Sequence, residues 1–590
     1  MVTDAWLIGA LAHQIDGRFR LARIDRIGQP EPTALTLELR APSDGACLVL
    51  SAHPELGRVE VLDKRPPNPL TPPPFCQLLR RHLEGSRLTA CHQPGTERLL
   101  DFSFAGRDEL GNPRGLRLIA EFAGRMANLI LVAADGRIID ALRRVQPEDE
   151  GRRVIAPGVP YTPPPLPPGR IDLFAIHASG GRQALAAALL ALLPPGATGQ
   201  EAKAAVSRGA FGLSRPLLDA ALSWAEGAPG CPGRHQTPPP DLPAAIADII
   251  EAMASGMARP CVLHSPGELP VPSAWPLPGS RAEPAPGALE AVAVAYRARD
   301  SAFRMRSAHQ RIGAVLRRAL SHTDDRLAKQ EQEMAEAREA DRWREAGELL
   351  LAHLHEVPRG VAEVQLPGFD DPEHLITVRL QPARSPSANA QVLLQRYRKG
   401  KRAQGEIATR LEQGRSERSF LEEAELALEQ AESTEELEAL EAMLHGQGYA
   451  ERRPQRARTP RRTQVAVAPP LRFAAGPDWI VLVGRNAEGN DRLTLDLGRP
   501  ADIWLHARQM PGSHVLLRSA AGTQATPPDQ ALLLAAAAAA YFSAGRGLSA
   551  VPVDWTPRKN VRKPPGARPG FVTYQGEHTL LVPPKRPPSE

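Results

Sequence analysis

The chain has few cysteines for its length: five in 590 residues, at Cys47, Cys76, Cys91, Cys231 and Cys261. They are scattered, form no CxxC pair and have no histidine at zinc-finger spacing, which argues against a structural zinc site and against the disulfide framework of a secreted domain. Long apolar runs are also missing. The longest, ALLLAAAAAAYF from Ala531, is too short and too rich in alanine to span a bilayer. Met1 is followed by Val2, Thr3, Asp4 and Ala5 with no basic segment leading into an apolar core, so no signal peptide is expected and a cytoplasmic location is. There is no Walker loop, no GxGxxG turn and no HExxH pair, so no credible nucleotide-hydrolysis centre is found.

What is present is length, charge and punctuation. A chain of 590 residues is several times the usual domain size, which implies about three to five domains. The net charge is +5 with an isoelectric point near 9.0, and the cations are overwhelmingly arginine. That balance favours a polyanionic partner such as RNA. Codon bias in a GC-rich genome is the competing explanation, since it would also raise alanine and yield the 60 prolines.

Residues 1 to about 145 alternate short β-type runs with two helical ones, among them TALTLELR, ACLVLSA and LRLIAEF. Asp135-Gly136, between NLILVAA and RIIDA, predicts a β-hairpin closed by a two-residue type I′ turn. The proline-rich PGVPYTPPPLPPG from Pro157 marks a boundary and should run extended over the surface. Short helices broken by Pro-Pro-Gly and by Gly212-Leu213-Ser214 then read as a helical-hairpin domain, whose turn could meet a phosphate or be only a turn. Residues 229–290 are rich in Pro and Gly, carry one predicted helix, LPAAIADIIEAMASG, and are expected to be a poorly ordered insertion.

Two proline-free charged segments follow, from about Tyr296 to Leu354 and from about Ala390 to Leu444. Each repeats apolar residues at heptad intervals: Leu320, Leu327 and Met334 in the first, Leu421, Ala424 and Leu428 in the second. With a strand-like module between them, they predict an antiparallel two-stranded coiled coil roughly 80 Å long. The basic, proline-broken ERRPQRARTPRRTQ from Glu451 reads as a linker, and a compact α+β domain begins beyond Leu471.

That last domain contains DIWLHARQMPGSHVLLRS, residues 502–519, the stretch with the most chemistry per residue. His506 and His514 lack a third ligand, so a metal site is weak. Ser513 opens a strand rather than sitting on a strand-to-helix elbow, which rejects a serine nucleophile. The remaining reading pairs DIWLHA with HVLLR as neighbouring strands whose turn displays Arg508, Ser513, His514 and Arg518 to phosphate or sugar oxygens. The plainer alternative makes both histidines half-buried strand residues. A second cluster favours binding: Arg558, Lys559, Arg562, Lys563 and Arg568 lie close together on a proline-stiffened segment interleaved with Trp555, Phe571 and Tyr574.

Taken in order, NLILVAADGRIIDALRRV, GAFGLSRPLL, GELLLAHL, SANAQVLLQRYRKGKRA, GRNAEGNDRLT, DIWLHARQMPGSHVLL and KNVRKPPGARPGFVTYQGEHTLLV resemble the successive signatures of the NFACT family and cover nearly the whole chain. The resemblance implies a multidomain α+β protein with a long antiparallel coiled coil. Its parts would be an NFACT-N domain like the N-terminal domain of DNA glycosylases (1–165), a helix-hairpin-helix domain (170–228), the Pro/Gly-rich insertion (229–290), a coiled-coil middle domain with a small β module (291–449), the basic linker (450–470) and an α+β NFACT-R RNA-binding domain (471–590). It implies a factor that binds large ribosomal subunits obstructed by peptidyl-tRNA and recruits alanyl-tRNA, so that stalled chains receive C-terminal alanines. Peptidyl transfer would belong to the ribosome, leaving this chain no catalytic residue, no cofactor and no metal. A small RNA-binding accessory factor is a further expected partner; DNA and membrane are not.

Carried over residue by residue, the resemblance places the family's acidic-arginine pair on Glu97-Arg98, where the acid is more often Asp. It places the strand that approaches the anticodon loop on EFAGRMAN, giving Glu121, Phe122, Arg125 and Asn128 as tRNA-binding residues. Many relatives have His-Ser where Met126-Ala127 stand. The RNA- and ribosome-binding set is Arg508, Ser513, His514, Arg518, Arg558, Lys559, Arg562 and Lys563. A glycosylase is excluded on chemistry, because Val2-Thr3 replace the required Pro-Glu and the four-cysteine zinc finger is missing. Two other functions compete: a surface adhesin for fibronectin, which needs export, and a ribosome-binding factor that does not tail.

Overall fold

The computed structural model describes residues 4–41, 45–107, 110–146, 153–165, 168–232, 241–369, 371, 373–449, 469–520 and 526–588. They divide into two compact units, one running to Phe303 and one beginning at Arg304. The expected basic linker lies outside the described residues as far as position 468.

The first unit opens with α1 (Ala5–Phe19), capped by Asp4, whose carboxylate accepts from the Leu7 amide at 2.9 Å. Strands β1 (Arg23–Glu31), β2 (Ala34–Arg40), β3 (Gly45–Ser51) and β4 (Arg58–Leu62) precede α2 (Pro74–Leu83). After it come β5 (Arg87–His92), β6 (Leu99–Arg107), β7 (Pro113–Glu121), β8 (Asn128–Ala133) and β9 (Ile138–Ala141). All nine form one sheet in the order β4-β3-β2-β1-β5-β6-β7-β8-β9, antiparallel at every pairing whose register is given. Helix α1 lays Trp6, Leu7, Leu11, Ile15 and Phe19 into the core that Leu100, Phe102, Leu118 and Leu131 share. Asp135-Gly136 does join β8 to β9, but only Gly136 takes a positive φ, 83°, so the link is not the expected type I′ turn. Its register is set instead by the Ala133 amide bonding to Arg137 O at 2.8 Å, which makes a longer, bulged connection.

The helical-hairpin segment contains β10 (Ile171–Asp172), α3 (Leu173–Leu192), α4 (Gly199–Gly209), β11 (Ala210–Phe211) and α5 (Arg215–Ala225). Asp172 caps α3 and Ser214 caps α5. The expected poorly ordered insertion is instead structured from Asp241 onward. Asp241 caps α6 (Leu242–Ala254), which buries nine residues, and β12 (Cys261–His264), β13 (Val271–Ser273) and β14 (Arg281–Pro284) form a small sheet. Here proline and glycine punctuate short strands, and Trp275 stacks on Trp6 at 5.5 Å, which ties the segment to α1.

Helix α7 (Ala288–Arg338) begins in the first unit, where the Tyr296 hydroxyl donates to Gly57 O at 2.9 Å. In the second unit it is followed by α8 (Ala340–Ala352), the hairpin β15 (Glu363–Pro367) and β16 (Leu375–Arg379), α9 (Pro386–Gln430) and α10 (Thr434–Gly446). The ion pairs Arg326–Glu417, Arg418–Asp324 and Arg415–Glu331 show α7 and α9 running antiparallel, since one residue number rises as the other falls. Leu320, Leu421, Ala424 and Leu428 share one core cluster, and Leu327 and Met334 pack with Ile407 and Leu411 in another. The 51-residue α7 is about 75 Å long. It breaks at Glu339, where a single continuous helix to Leu354 was expected.

The C-terminal domain of the same unit has β17 (Leu471–Ala474), β18 (Trp479–Val483), α11 (Ala487–Asp491), a π-helical turn (Arg492–Leu497), β19 (Ile503–Ala507), β20 (Val515–Ser519) and α12 (Asp529–Tyr541). Beyond α12 come β21 (Val551–Pro557), β22 (Val561–Arg562), β23 (Thr573–Tyr574) and β24 (His578–Val582). Six strands form a sheet in the order β17-β18-β20-β19-β21-β24, with α12 on one face. On the other, Trp504, Leu516 and Val561 close a second small core with Tyr574.

Candidate nucleic-acid interface

In the first unit, Glu97 and Arg98 lie on the loop from β5 to β6, at the foot of α1. Gln93 fixes this loop by donating from Nε2 to Ala5 O at 2.9 Å and to Glu97 O at 2.7 Å. The Gly212–Ser214 turn closes on it from the other side: a Cβ on Gly212 would lie 3.0 Å from Thr96 Oγ1, and the Ser214 hydroxyl donates to the α1 cap Asp4 at 3.4 Å. The pair therefore stands where a sheet loop and the capped starts of α1 and α5 converge. Burial raises the Glu97 pKa, with Asp172 and Glu121 adding to it against Arg98 and Arg153. Burial also lowers that of Arg98, opposed by Glu97 and Asp4.

The EFAGRMAN segment splits into frame and display. Glu121, Phe122 and Asn128 are 2%, 4% and 1% exposed, so none offers its side chain to a large ligand in this conformation. Glu121 takes Arg153 Nη2 on both oxygens, at 2.7 and 2.6 Å, and the Tyr161 hydroxyl at 2.9 Å. Asn128 donates to Arg143 O at 2.7 Å and accepts from the Arg143 amide at 3.0 Å. Arg143 in turn donates from Nη2 to Arg125 O at 2.5 Å. Between these fixed points Gly124 takes φ 57°, and Arg125 and Met126 project outward, Met126 being 47% exposed. Arg153 and Tyr161, which hold this frame, were not singled out from the sequence; nothing local in the chain marks them.

The eight C-terminal candidates separate as well. The pairing of β19 with β20 is as expected, Leu505 facing Val515. His514, however, is 2% exposed and Ser513 7%, so the turn does not display them. His514 Nδ1 pairs with Thr494 Oγ1 at 2.7 Å, its amide donates to Asn490 Oδ1 at 3.0 Å, and its ring meets Trp504 edge-on at 5.2 Å. Burial pushes its pKa well below the ordinary histidine value, reinforced by His506 5.5 Å away. Arg518 is also turned inward, bonding Asp502 at 2.6 Å and Leu497 O at 2.6 Å. Arg558 donates to Thr494 O at 2.5 Å and Leu495 O at 3.2 Å, both carbonyls of the π-helical turn, and Lys563 pairs with Asp491. Each sits within reach of a protein acceptor that charge alone did not reveal.

Three cations remain at the surface: Arg508, Lys559 and Arg562. Arg508 donates to Thr579 Oγ1 at 3.4 Å and lies 3.9 Å from Asp554, beside Gln509 at φ 54°. Arg568 docks on the coil, donating to the Tyr449 hydroxyl at 2.9 Å with its guanidinium 5.6 Å over Phe420. Among the described residues no group of three or more His, Cys, Asp or Glu could hold a metal, and no helix is long and apolar enough to cross a membrane.

A family model described as NFACT N-terminal and middle domains matches residues 4–463, and one described as NFACT protein RNA binding domain matches residues 471–576. The Rqc2 homolog RqcH of Bacillus subtilis (strain 168) is 28% identical over 596 residues, covering 99% of this chain and 98% of its own. That of Streptococcus suis (strain 05ZYH33) is 30% identical over 589 residues, with the same two coverages. Among solved structures, the C-terminal part of the fibronectin/fibrinogen-binding protein from Streptococcus suis is 31% identical, covers 48% of this chain and 96% of that one, and superposes with a TM-score of 0.38.

Proposed function

The chain belongs to the NFACT family, and from that premise we propose that it is a ribosome-associated quality-control factor that works by binding RNA. In this reading it engages large ribosomal subunits obstructed by peptidyl-tRNA and recruits alanyl-tRNA, so that the stalled chain grows a C-terminal alanine tail. The ribosome makes the peptide bonds. This chain positions tRNA, needs no cofactor, and acts in the cytoplasm, with a small RNA-binding factor as a further partner. The residues to 165 and the 170–228 hairpin then form the tRNA-facing part, 291–449 the coiled coil, and 471–590 the RNA-binding domain.

The observation that carries the reading is that the two family matches run in order along the chain, the second of them to an RNA-binding domain. The geometry adds support: Arg125 projects from a rigidly framed loop, and Arg98 sits where two capped helices and a sheet loop meet. Arginine in such a place can take phosphate or a base edge in bidentate fashion.

The test is purification of the tagged full-length protein from its own cytosol, with sequencing of bound small RNA and identification of ribosomal proteins, beside an Arg98→Ala/Arg125→Ala control. Large-subunit proteins with one enriched tRNA, lost in the control, are expected. Large subunits without an enriched tRNA would remove tailing and keep ribosome binding. Recovery of neither large-subunit proteins nor an enriched tRNA would overturn the reading.

A further inference from the structure

The C-terminal domain sets Trp555, so far only a member of the basic segment, beside His578 on its open edge, a residue that no candidate set above contains. Trp555 stands on β21 between Leu505 of β19 and His578 of β24, its direct partners in register. Strand β24 is the last of the sheet, so nothing in the sheet covers His578 on its outer side. The two rings lie 4.8 Å apart with an interplanar angle of 33°. Trp555 is half-buried against the α12 core and His578 is exposed. Tyr574 on the same segment differs, packing into the sheet on Trp504 at 4.8 Å and donating its hydroxyl to Asp554 at 2.9 Å, while Phe571 is exposed without a ring partner among the described residues. The same chain segment that carries Trp555 continues directly into Lys559 and Arg562, both exposed.

A rigid indole backing an exposed imidazole at a sheet edge, followed within seven residues by two surface cations, has the chemistry of a single-strand RNA platform. The π-face is supplied by the rings and phosphate neutralisation by the cations. We infer that an unpaired RNA base stacks on the face of the His578 imidazole turned away from Trp555, whose tilted ring backs it, while Lys559 and Arg562 hold the flanking phosphates. This deepens the proposed RNA-binding function and rests on it. Duplex RNA, whose bases are already stacked, would use the cations but not the rings.

The experiment measures binding of the full-length protein to a labelled uridine 12-mer and to a duplex of the same length, by fluorescence anisotropy. His578 is exposed, so His578→Ala leaves the core intact. It is expected to weaken single-strand binding about tenfold and to leave duplex binding unchanged, with His578→Tyr restoring most of the loss. Lys559→Ala/Arg562→Ala is expected to weaken both and to flatten their salt dependence. Single-strand affinity unchanged in His578→Ala, or an equal loss on duplex, would overturn the stacking site while leaving RNA binding in place. Wild-type protein that binds neither RNA would overturn both this site and the reading beneath it.

Discussion

Two short loops, one in each unit, present an arginine by similar local means and with different restraint. In 122–128 the left-handed residue is Gly124, at φ 57°; in 508–513 it is Gln509, at φ 54°. Each loop is pinned by a buried asparagine: Asn128 holds Arg143, and Asn490 holds the His514 amide and Gly512 O. Arg508, however, is tethered to Thr579 and faces Asp554, whereas the Arg125 guanidinium has no protein partner among the described residues. A tethered cation arrives ordered but with part of its field already neutralised. A free one keeps its whole charge for a ligand and loses side-chain entropy on binding, about 2 kcal/mol at most. Similar backbone geometry can therefore serve two different electrostatic designs.

The sharpest way to break this comparison is to move one strand along. Arg518 sits opposite buried Asp502, which is 3% exposed on its side chain, and Arg518→Ala removes its charge partner and leaves it only the Arg499 amide at 2.8 Å. A loss of about 3 kcal/mol in unfolding free energy is expected, against less than about 0.5 kcal/mol for Arg508→Ala. Thermal or urea unfolding of the two variants decides it. Equal effects would mean that Arg518 is not the structural arginine described above.

The next effect compares two glutamates. Glu121 beside the first loop has Arg153 and Tyr161 as partners, while half-buried Glu423 on α9 holds a buried Oε2 without one. Burial, with Asp491 nearby, pushes the Glu423 pKa up to about 8. Since its folded pKa lies above the unfolded value of 4.5, its contribution is fully present below about pH 4.5 and is lost as pH rises through 8. Glu423→Gln should therefore stabilise the second unit at pH 8.5, by about 2 kcal/mol, with the gain gone near pH 5. Glu121→Gln should destabilise the first unit at pH 7, because it weakens the grip on Arg153. A Glu423→Gln gain that is the same at both pH values would show that Glu423 is not neutral in the folded protein.

On RNA, the order reverses in favour of the untethered arginine. Arg125→Ala is expected to weaken tRNA binding about fivefold and Arg508→Ala about twofold, each lowering the salt slope by up to one unit. A larger effect at Arg508 would make tethering an advantage rather than a drain on its charge.

How much of this was legible in the chain depends on range. The heptads of Leu320, Leu327, Leu421 and Leu428 predicted the antiparallel helices because coiled-coil packing is a periodic, local code. The pairing of DIWLHA with HVLLR was readable for the same reason. The fate of each cation was not, because it depends on residues far away: Arg558 is consumed by carbonyls of the 492–497 turn and Arg518 by Asp502, sixteen positions back. Counting charges finds a basic segment and cannot say which members face water. The 229–290 insertion was misjudged in the other direction: its helix was read correctly, but a composition rich in Pro and Gly hid the small sheet that follows and the docking of Trp275 on Trp6.

The smallest expected effect isolates the shared backbone geometry itself. A Cβ in the left-handed region costs about 1 kcal/mol, so Gly124→Ala should lower the stability of the first unit by roughly that much. Gln509 already bears that strain, and Gln509→Gly relieves it while adding freedom to the unfolded chain, two terms of similar size that leave a gain of about 0.5 kcal/mol or less. Stability alone would then barely register the change. RNA affinity is the more informative readout, because Gln509 adjoins Arg508 and a glycine there loosens the turn that aims it. If affinity falls by more than Arg508→Ala itself costs, the strained turn orders more of the surface than that one arginine; if it does not move, the tether to Thr579 is sufficient and the strain at Gln509 is incidental to binding.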